Sequence, residues 1–156
     1  MSDKEFLERA IALAAENSKA GDNGPFGAVI VKNGEIIAEG WNQVVSSKDP
    51  TAHAEVVAIR RACDALNTNE LSGAVLYSSC EPCPMCFSSA VWARVDRVVY
   101  AETRYGAAKA GFDDEVLYEA IADMKNQKLV PCEHMPMEEA SKVFDSWISN
   151  ENKIPY

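Results

Sequence analysis

The chain has 156 residues, 47% of them hydrophobic and 25% charged, the composition of an ordinary soluble globule built as one domain over 1–156. Fifteen Lys and Arg against 24 Asp and Glu give a formal net charge of −9, and so acidic a surface repels the phosphate backbones that nucleic-acid binders neutralise with basic side chains. No apolar run is long enough to span a bilayer, and the first residues lack the basic-then-apolar pattern of a secretory signal. Five cysteines, three of them within residues 80–86, suit metal or thiol chemistry in a reducing cytoplasm better than a disulfide framework.

Ser2 and Glu5 have the spacing of a capping box. Phe6, Leu7, Ala10, Ile11, Leu13 and Ala14 then recur at helical spacing, which predicts a helix to about residue 20. The turn-forming Gly21-Asp22-Asn23-Gly24-Pro25 ends it. Strands over 26–31 and 35–41 flank Asn33-Gly34, a hairpin signal because both turn positions favour positive φ. Residues 42–48 read as polar loop, and Asp49-Pro50-Thr51 as the start of a helix carrying His53, Glu55, Val57, Ala58, Ile59, Ala62 and Leu66. Residues 74–79 predict a buried strand, 83–92 a helix and 95–101 another strand; 106–111 reads as a small-residue connection and 113–124 as helix. A last strand is predicted over 129–135, then a final helix after Pro136 that carries Val143, Phe144, Trp147 and Ile148. There are no repeats or low-complexity segments. A hairpin joined to strand–helix crossovers predicts an α/β fold, three layers with a mixed sheet between helices.

The chemistry is concentrated in His53-Ala54-Glu55 and Pro82-Cys83-Pro84-Met85-Cys86. One imidazole and two thiols hold a zinc ion and leave its fourth position open, as a catalytic zinc requires. Cys83 and Cys86, three apart at a predicted helix start, point to one side. The positive helix end there favours the thiolates that zinc needs. Glu55 is placed to move protons for a zinc-bound water. On a regular helix two residues correspond to a rotation of about 200°, so Glu55 suits that role better than a ligand role beside His53. Two plainer readings stand beside this one. Cys80 could complete a closed Cys3His structural site, and Glu55 could be a solvated glutamate at a helix N-terminus. Cys63 and Cys132, isolated in sequence, read as small core hydrophobes.

Together with Gly24-Pro25-Phe26-Gly27-Ala28 and Asp49-Pro50-Thr51-Ala52, these motifs resemble the cytidine-deaminase-like superfamily almost throughout the chain. Trp92-Ala93-Arg94, Ala110-Gly111-Phe112-Asp113-Asp114 and the terminal Tyr156 resemble its bacterial guanine-type branch, although Ile154-Pro155 departs from the charged tail of that branch. The resemblance implies a three-layer αβα domain, one zinc per subunit held by His53, Cys83 and Cys86, and Glu55 as proton shuttle. It also implies a homodimer whose C-terminal tail, about residues 150–156, closes the partner's active site. Asn42 then reads as an amide for the ring edge, Phe26 and Trp92 as aromatic walls, Ala54 as a backbone amide near the substrate, Tyr156 as a tail contact and Asp114 as an acid near the base. Without the resemblance, Phe26 and Trp92 could be core aromatics, Asn42 a turn residue and Asp114 a helix cap. The implied reaction is hydrolytic deamination of guanine to xanthine and ammonia in the cytoplasm. The alternatives are isocytosine, cytosine or a triazine as substrate, tRNA adenosine deamination, or a non-catalytic zinc-binding domain.

Overall fold

Ser2 starts the first helix with the capping box that its sequence predicts: Ser2 Oγ accepts from Glu5 N at 3.4 Å, and Glu5 Oε2 accepts from Ser2 N at 2.6 Å. In the computed structural model, which describes residues 1–156, the chain divides into two compact units, Met1–Tyr118 and Glu119–Tyr156. The first contains α1 (Asp3–Ser18), β1 (Gly27–Lys32), β2 (Glu35–Trp41), α2 (Val44–Ser47), α3 (Ala54–Leu66), β3 (Ala74–Cys80), α4 (Pro84–Trp92), β4 (Arg97–Glu102) and α5 (Arg104–Lys109). α6 (Glu115–Ala122) begins in it, and α7 (Glu138–Ser149) belongs to the second.

The sheet order is β2-β1-β3-β4. β1 runs antiparallel to β2 and β3, whereas β3 and β4 are parallel, so the sheet is mixed as the sequence predicts. The hairpin turns at Asn33 (φ 53) and Gly34 (φ 79), the positive-φ pair that matches strand twist. Alternation along β1 divides the core. Val29 and Val31 pack with Tyr77 against Phe6 and Leu13 of α1. Ala28 and Ile30 face the other way, with Leu76, against Ala54, Ala58, Ile59 and Ala62 of α3 and Ala90 of α4. These are the three layers. Burying a side chain such as Ile30 or Leu76 completely contributes about 1.5–3 kcal/mol. The alanines let α3 lie close to the sheet, and a Cβ on Gly40 of β2 would run into the Ala54 carbonyl. At the opposite face Arg97 donates to both Asp3 oxygens, at 3.0 and 2.8 Å, and Tyr77 Oη donates to Asp3 at 2.6 Å, fixing the start of α1.

Four predicted elements come out differently. Helix α3 begins at Ala54, because the Asp49 carboxylate accepts from Thr51 N and Oγ1 at 2.8 and 2.7 Å and so makes a turn of residues 49–51. The polar loop 42–48 contains the short α2. The small-residue connection 106–111 is largely helix α5. No strand forms over 129–135, where Pro131 lacks the N–H a ladder needs. In the second unit no residue is buried within the chain, and Cys132 is exposed, so it is not a core hydrophobe. No helix is long and apolar enough to cross a membrane.

Candidate active site

Two helices begin on residues that the sequence singles out, His53 and Cys83. His53 is the N-cap of α3 (φ −67, ψ 155) and Cys83 the N-cap of α4 (φ −64, ψ 168). Pro84 takes the first helical position of α4, where its missing N–H costs nothing. Cys86, one turn on, is completely buried. His53 Nδ1 lies 3.6 Å from Cys83 Sγ and 3.4 Å from Cys86 Sγ, and the three donor atoms lie within 4.8 Å of one another. Zinc bonds of about 2.0 Å to nitrogen and 2.3 Å to sulfur put tetrahedral N and S ligands about 3.5 Å apart. The donor set therefore fits one zinc ion.

Charge sits where such an ion needs it. A hydrogen bond from Cys86, with help from His53, draws the Cys83 thiol down to about 4. The same contact to Cys83, together with burial, pushes Cys86 up; a coordinated cation deprotonates such a thiol. Cys80 is outside the donor group. Its Sγ contacts the Thr103 carbonyl at 3.6 Å instead, and burial pushes its thiol up to about 11.

Glu55 is buried on the same cavity, with its Oε1 accepting from Ser78 Oγ at 3.2 Å. The rotation expected on a regular helix does not separate it from His53, because His53 stands outside the helix in extended conformation. Burial raises the Glu55 carboxyl above the usual range. That is the direction a proton carrier working near neutral pH requires.

The cavity, about 760 Å³ and inside the first unit, brings together Phe26, Asn42, His53, Glu55, Cys83 and Asp114. Asn42 is buried, and its Oδ1 accepts from Gly24 N (3.3 Å) and Val44 N (3.2 Å), which leaves its amide hydrogens as what it can offer. Phe26 meets Phe112 edge to face at 5.0 Å. Asp114 precedes α6, and burial raises its carboxyl. Ala54 is wholly buried in the core and is not on the cavity wall; its N–H is one of the donors a helix start leaves without an internal partner. Trp92, at the end of α4, is 71% exposed and is not on the cavity wall. Tyr156 is exposed in the second unit. The sequence reading overlooked Ser78, Glu81 and Arg104. Ser78 stands with Ser79 as a polar pair in an otherwise apolar strand, Glu81 lies in the Ser79–Cys86 run that carries the family resemblance, and Arg104 carried no local signal.

Three donors spaced for one zinc ion, with a buried carboxylate on the same cavity, suit a zinc-dependent deaminase. The chain belongs to the cytidine and deoxycytidylate deaminase family, whose zinc-binding region matches residues 1–102. Its likeness to particular members extends further. It is 48% identical to the guanine deaminase of Bacillus subtilis (strain 168) over 156 residues, all of both chains. The X-ray structure of guanine deaminase from Bacillus subtilis superposes with a TM-score of 0.96, covering 100% of this chain and 99% of that one. The tRNA-specific adenosine deaminase of Aquifex aeolicus (strain VF5) is 38% identical over 149 residues, 94% of each chain. A structure of guanine deaminase from Nitrosomonas europaea matches with a TM-score of 0.66 at 32% identity, over 70% of this chain and 64% of that one.

Proposed function

We propose that this protein deaminates guanine to xanthine and ammonia, with His53, Cys83 and Cys86 as the ligands of one zinc per chain. The observation that carries the chemistry is the 3.4 and 3.6 Å spacing of Nδ1 from the two sulfurs with Glu55 on the same cavity. The choice of base is supported by the full-length likeness to a guanine deaminase. Net charge −9 disfavours tRNA as substrate.

A zinc ion held by His53, Cys83 and Cys86 would lower the pKa of a water toward 7 and so supply a nucleophile at neutral pH. Glu55 takes a proton from the attacking water and gives it to a ring nitrogen as oxygen bonds to C2. With C2 tetrahedral, Glu55 takes the proton of the new hydroxyl and, with Asp114 beside it, passes that one proton to the amine, which leaves as ammonia as C2 becomes a carbonyl carbon. Ser78 holds the Glu55 carboxylate during both transfers. Asn42, its oxygen already engaged, donates its amide hydrogens to an acceptor on the base edge. Phe26 and Phe112 form an apolar wall for the ring.

The working unit in this reading is a cytoplasmic homodimer, in which the C-terminal tail of one chain, ending at Tyr156, covers the site of the other. The exposure of Phe144, Trp147, Ile148, Ile154 and Tyr156 in the single chain supports a second copy as their cover. Trp92, exposed off the cavity wall, belongs to that reading too.

Ammonia release from a panel of guanine, isocytosine, cytosine, adenine and tRNA tests the substrate. Guanine is expected to exceed adenine and cytosine by at least ~10³-fold in kcat/KM, because a site built for one base edge leaves buried polar groups unpaired with another. Turnover of cytosine or tRNA adenosine without turnover of guanine overturns the substrate while leaving the zinc chemistry. Light scattering of the eluted protein tests the dimer.

A further inference from the structure

The cavity wall includes a cation to which the chemistry above gives no task. Arg104 is the only Lys or Arg on a wall that carries Asp22, Glu55, Glu81, Asp113 and Asp114. Its side chain is 19% exposed, and Nη1, cut off from solvent, has no hydrogen-bond partner; it stands 3.3 Å from Glu115 Oε2 as an ion pair without hydrogen-bond geometry. The guanidinium lies 4.0 Å over the Tyr118 ring, and Nη2 donates to Tyr105 Oη at 3.2 Å. Withdrawing a guanidinium from water is costly when its donors are not all used, so stability alone gives a weak reason for this arrangement.

Its connections give a better one. The Arg104 backbone N donates to Glu81 Oε2 at 2.9 Å, and Glu81 N donates to the Glu102 carbonyl at 2.8 Å. Glu81 is two residues before Cys83. Arg104 thus grips the segment leading to the zinc ligands with its backbone, and Glu115 and Tyr118, three apart on one face of α6, with its side chain. Asp114 adjoins the second hold: it immediately precedes α6, and its carbonyl accepts from Leu117 N at 2.9 Å and Tyr118 N at 3.4 Å.

We propose that Arg104 is a positioning residue for Asp114, tying the first turn of α6 to the Glu81–Cys83 segment so that the Asp114 carboxyl is held on the cavity wall that Glu55 shares. Electrostatics agrees with the geometry, since burial raises the Asp114 carboxyl and the Arg104 charge opposes that rise. The inference rests on the reading of Asp114 as an acid acting with Glu55.

The test is a double-mutant cycle on the zinc-loaded, full-length enzyme, with steady-state guanine deamination and zinc content measured for Arg104→Met, Asp114→Asn and the pair. Arg104→Met is expected to lower kcat by about 10- to 10²-fold, the scale of a small misplacement of a reacting group, with KM and zinc content little changed. In the Asp114→Asn background the same substitution is expected to cost no more than about twofold, because residues acting through one another are not additive. Arg104→Lys, which keeps the charge without the stacking plane, is expected to fall between Arg104→Met and wild type. Equal loss in both backgrounds, loss of zinc in Arg104→Met, or full activity of Arg104→Met overturns the proposal. Full activity of Asp114→Asn instead overturns the reading of Asp114. Should Arg104→Met not fold, Glu115→Lys sets a like charge against the guanidinium from a half-exposed position. It must lower kcat in the wild-type background and not beside Asp114→Asn, or the proposal fails.

Discussion

The start of α1 and the starts of α3 and α4 solve the same problem differently. A helix begins with backbone N–H groups that have no partner inside it. At α1 the cap residue serves the helix: Ser2 and Glu5 satisfy each other's backbone N–H groups. At α3 and α4 the cap positions are held by His53 and Cys83, and neither side chain caps its helix. Those side chains point at each other across 3.6 Å. Where a helix start is to hold a metal, the cap residue is withdrawn from local stability. The helix end then contributes positive potential to a thiolate instead.

That contrast can be broken experimentally, and the largest effect belongs to the ligand cap. Cys83→Ala is expected to lose zinc and all measurable guanine deamination, read by metal analysis and ammonia release. Retention of one zinc by this variant together with its loss in Cys80→Ser would reverse the ligand assignment. Glu55→Gln follows: zinc and melting temperature unchanged, kcat down by about 10²–10⁴-fold, the range of general acid–base catalysis. A variant keeping a tenth of wild-type turnover would remove Glu55 from that role.

Removing residues 154–156 is expected to lower kcat/KM by about 10-fold or more, since an opened pocket readmits water, with the melting temperature nearly unchanged. Unaltered kinetics would dismiss the tail from the site. At the α1 end, Ser2→Ala is expected to lower the melting temperature by about 2–4 °C with activity unchanged. The smallest effect is a pH dependence. Arg97 and Tyr77 lower the Asp3 carboxyl below its ordinary 3.8. Its contribution is therefore present above about pH 3.8 and lost as pH falls through the lower folded value. Asp3→Asn should reduce the urea midpoint at pH 7 and converge on wild type in strong acid; a constant gap across pH would show that the charge is not what matters.

The same contrast explains what the sequence made legible. The capping box, the Asn33-Gly34 hairpin and the alternation of β1 are local rules, and the structure follows them. His53, Cys83 and Cys86 were legible as a donor group because zinc dictates residue types and a short spacing that few other needs imitate, and the structure brings the three together. Glu55 was harder. Helical periodicity set it on the far side from His53, since nothing local in Asp49-Pro50-Thr51 revealed that the turn would delay the helix until Ala54. Residues 106–111 hid a helix behind small residues, and Gly106 is tolerated there because the Glu102 side chain fills the space a Cβ would take. Arg104 was invisible because its partners, Glu81, Glu115 and Tyr118, come together only by tertiary contact.

Gly40 gives the site a depth stop. Its missing side chain lets β2 receive the first turn of α3 at the Ala54 carbonyl, and Ala54 is the residue between His53 and Glu55. Any larger residue at position 40 would lift both together, while α4 kept the two sulfurs where they are. The reach from nitrogen to sulfur is thus calibrated by a hydrogen atom on a strand, at a position that contributes no group to the cavity. A survey confined to residues facing the substrate would miss the part that sets the gauge.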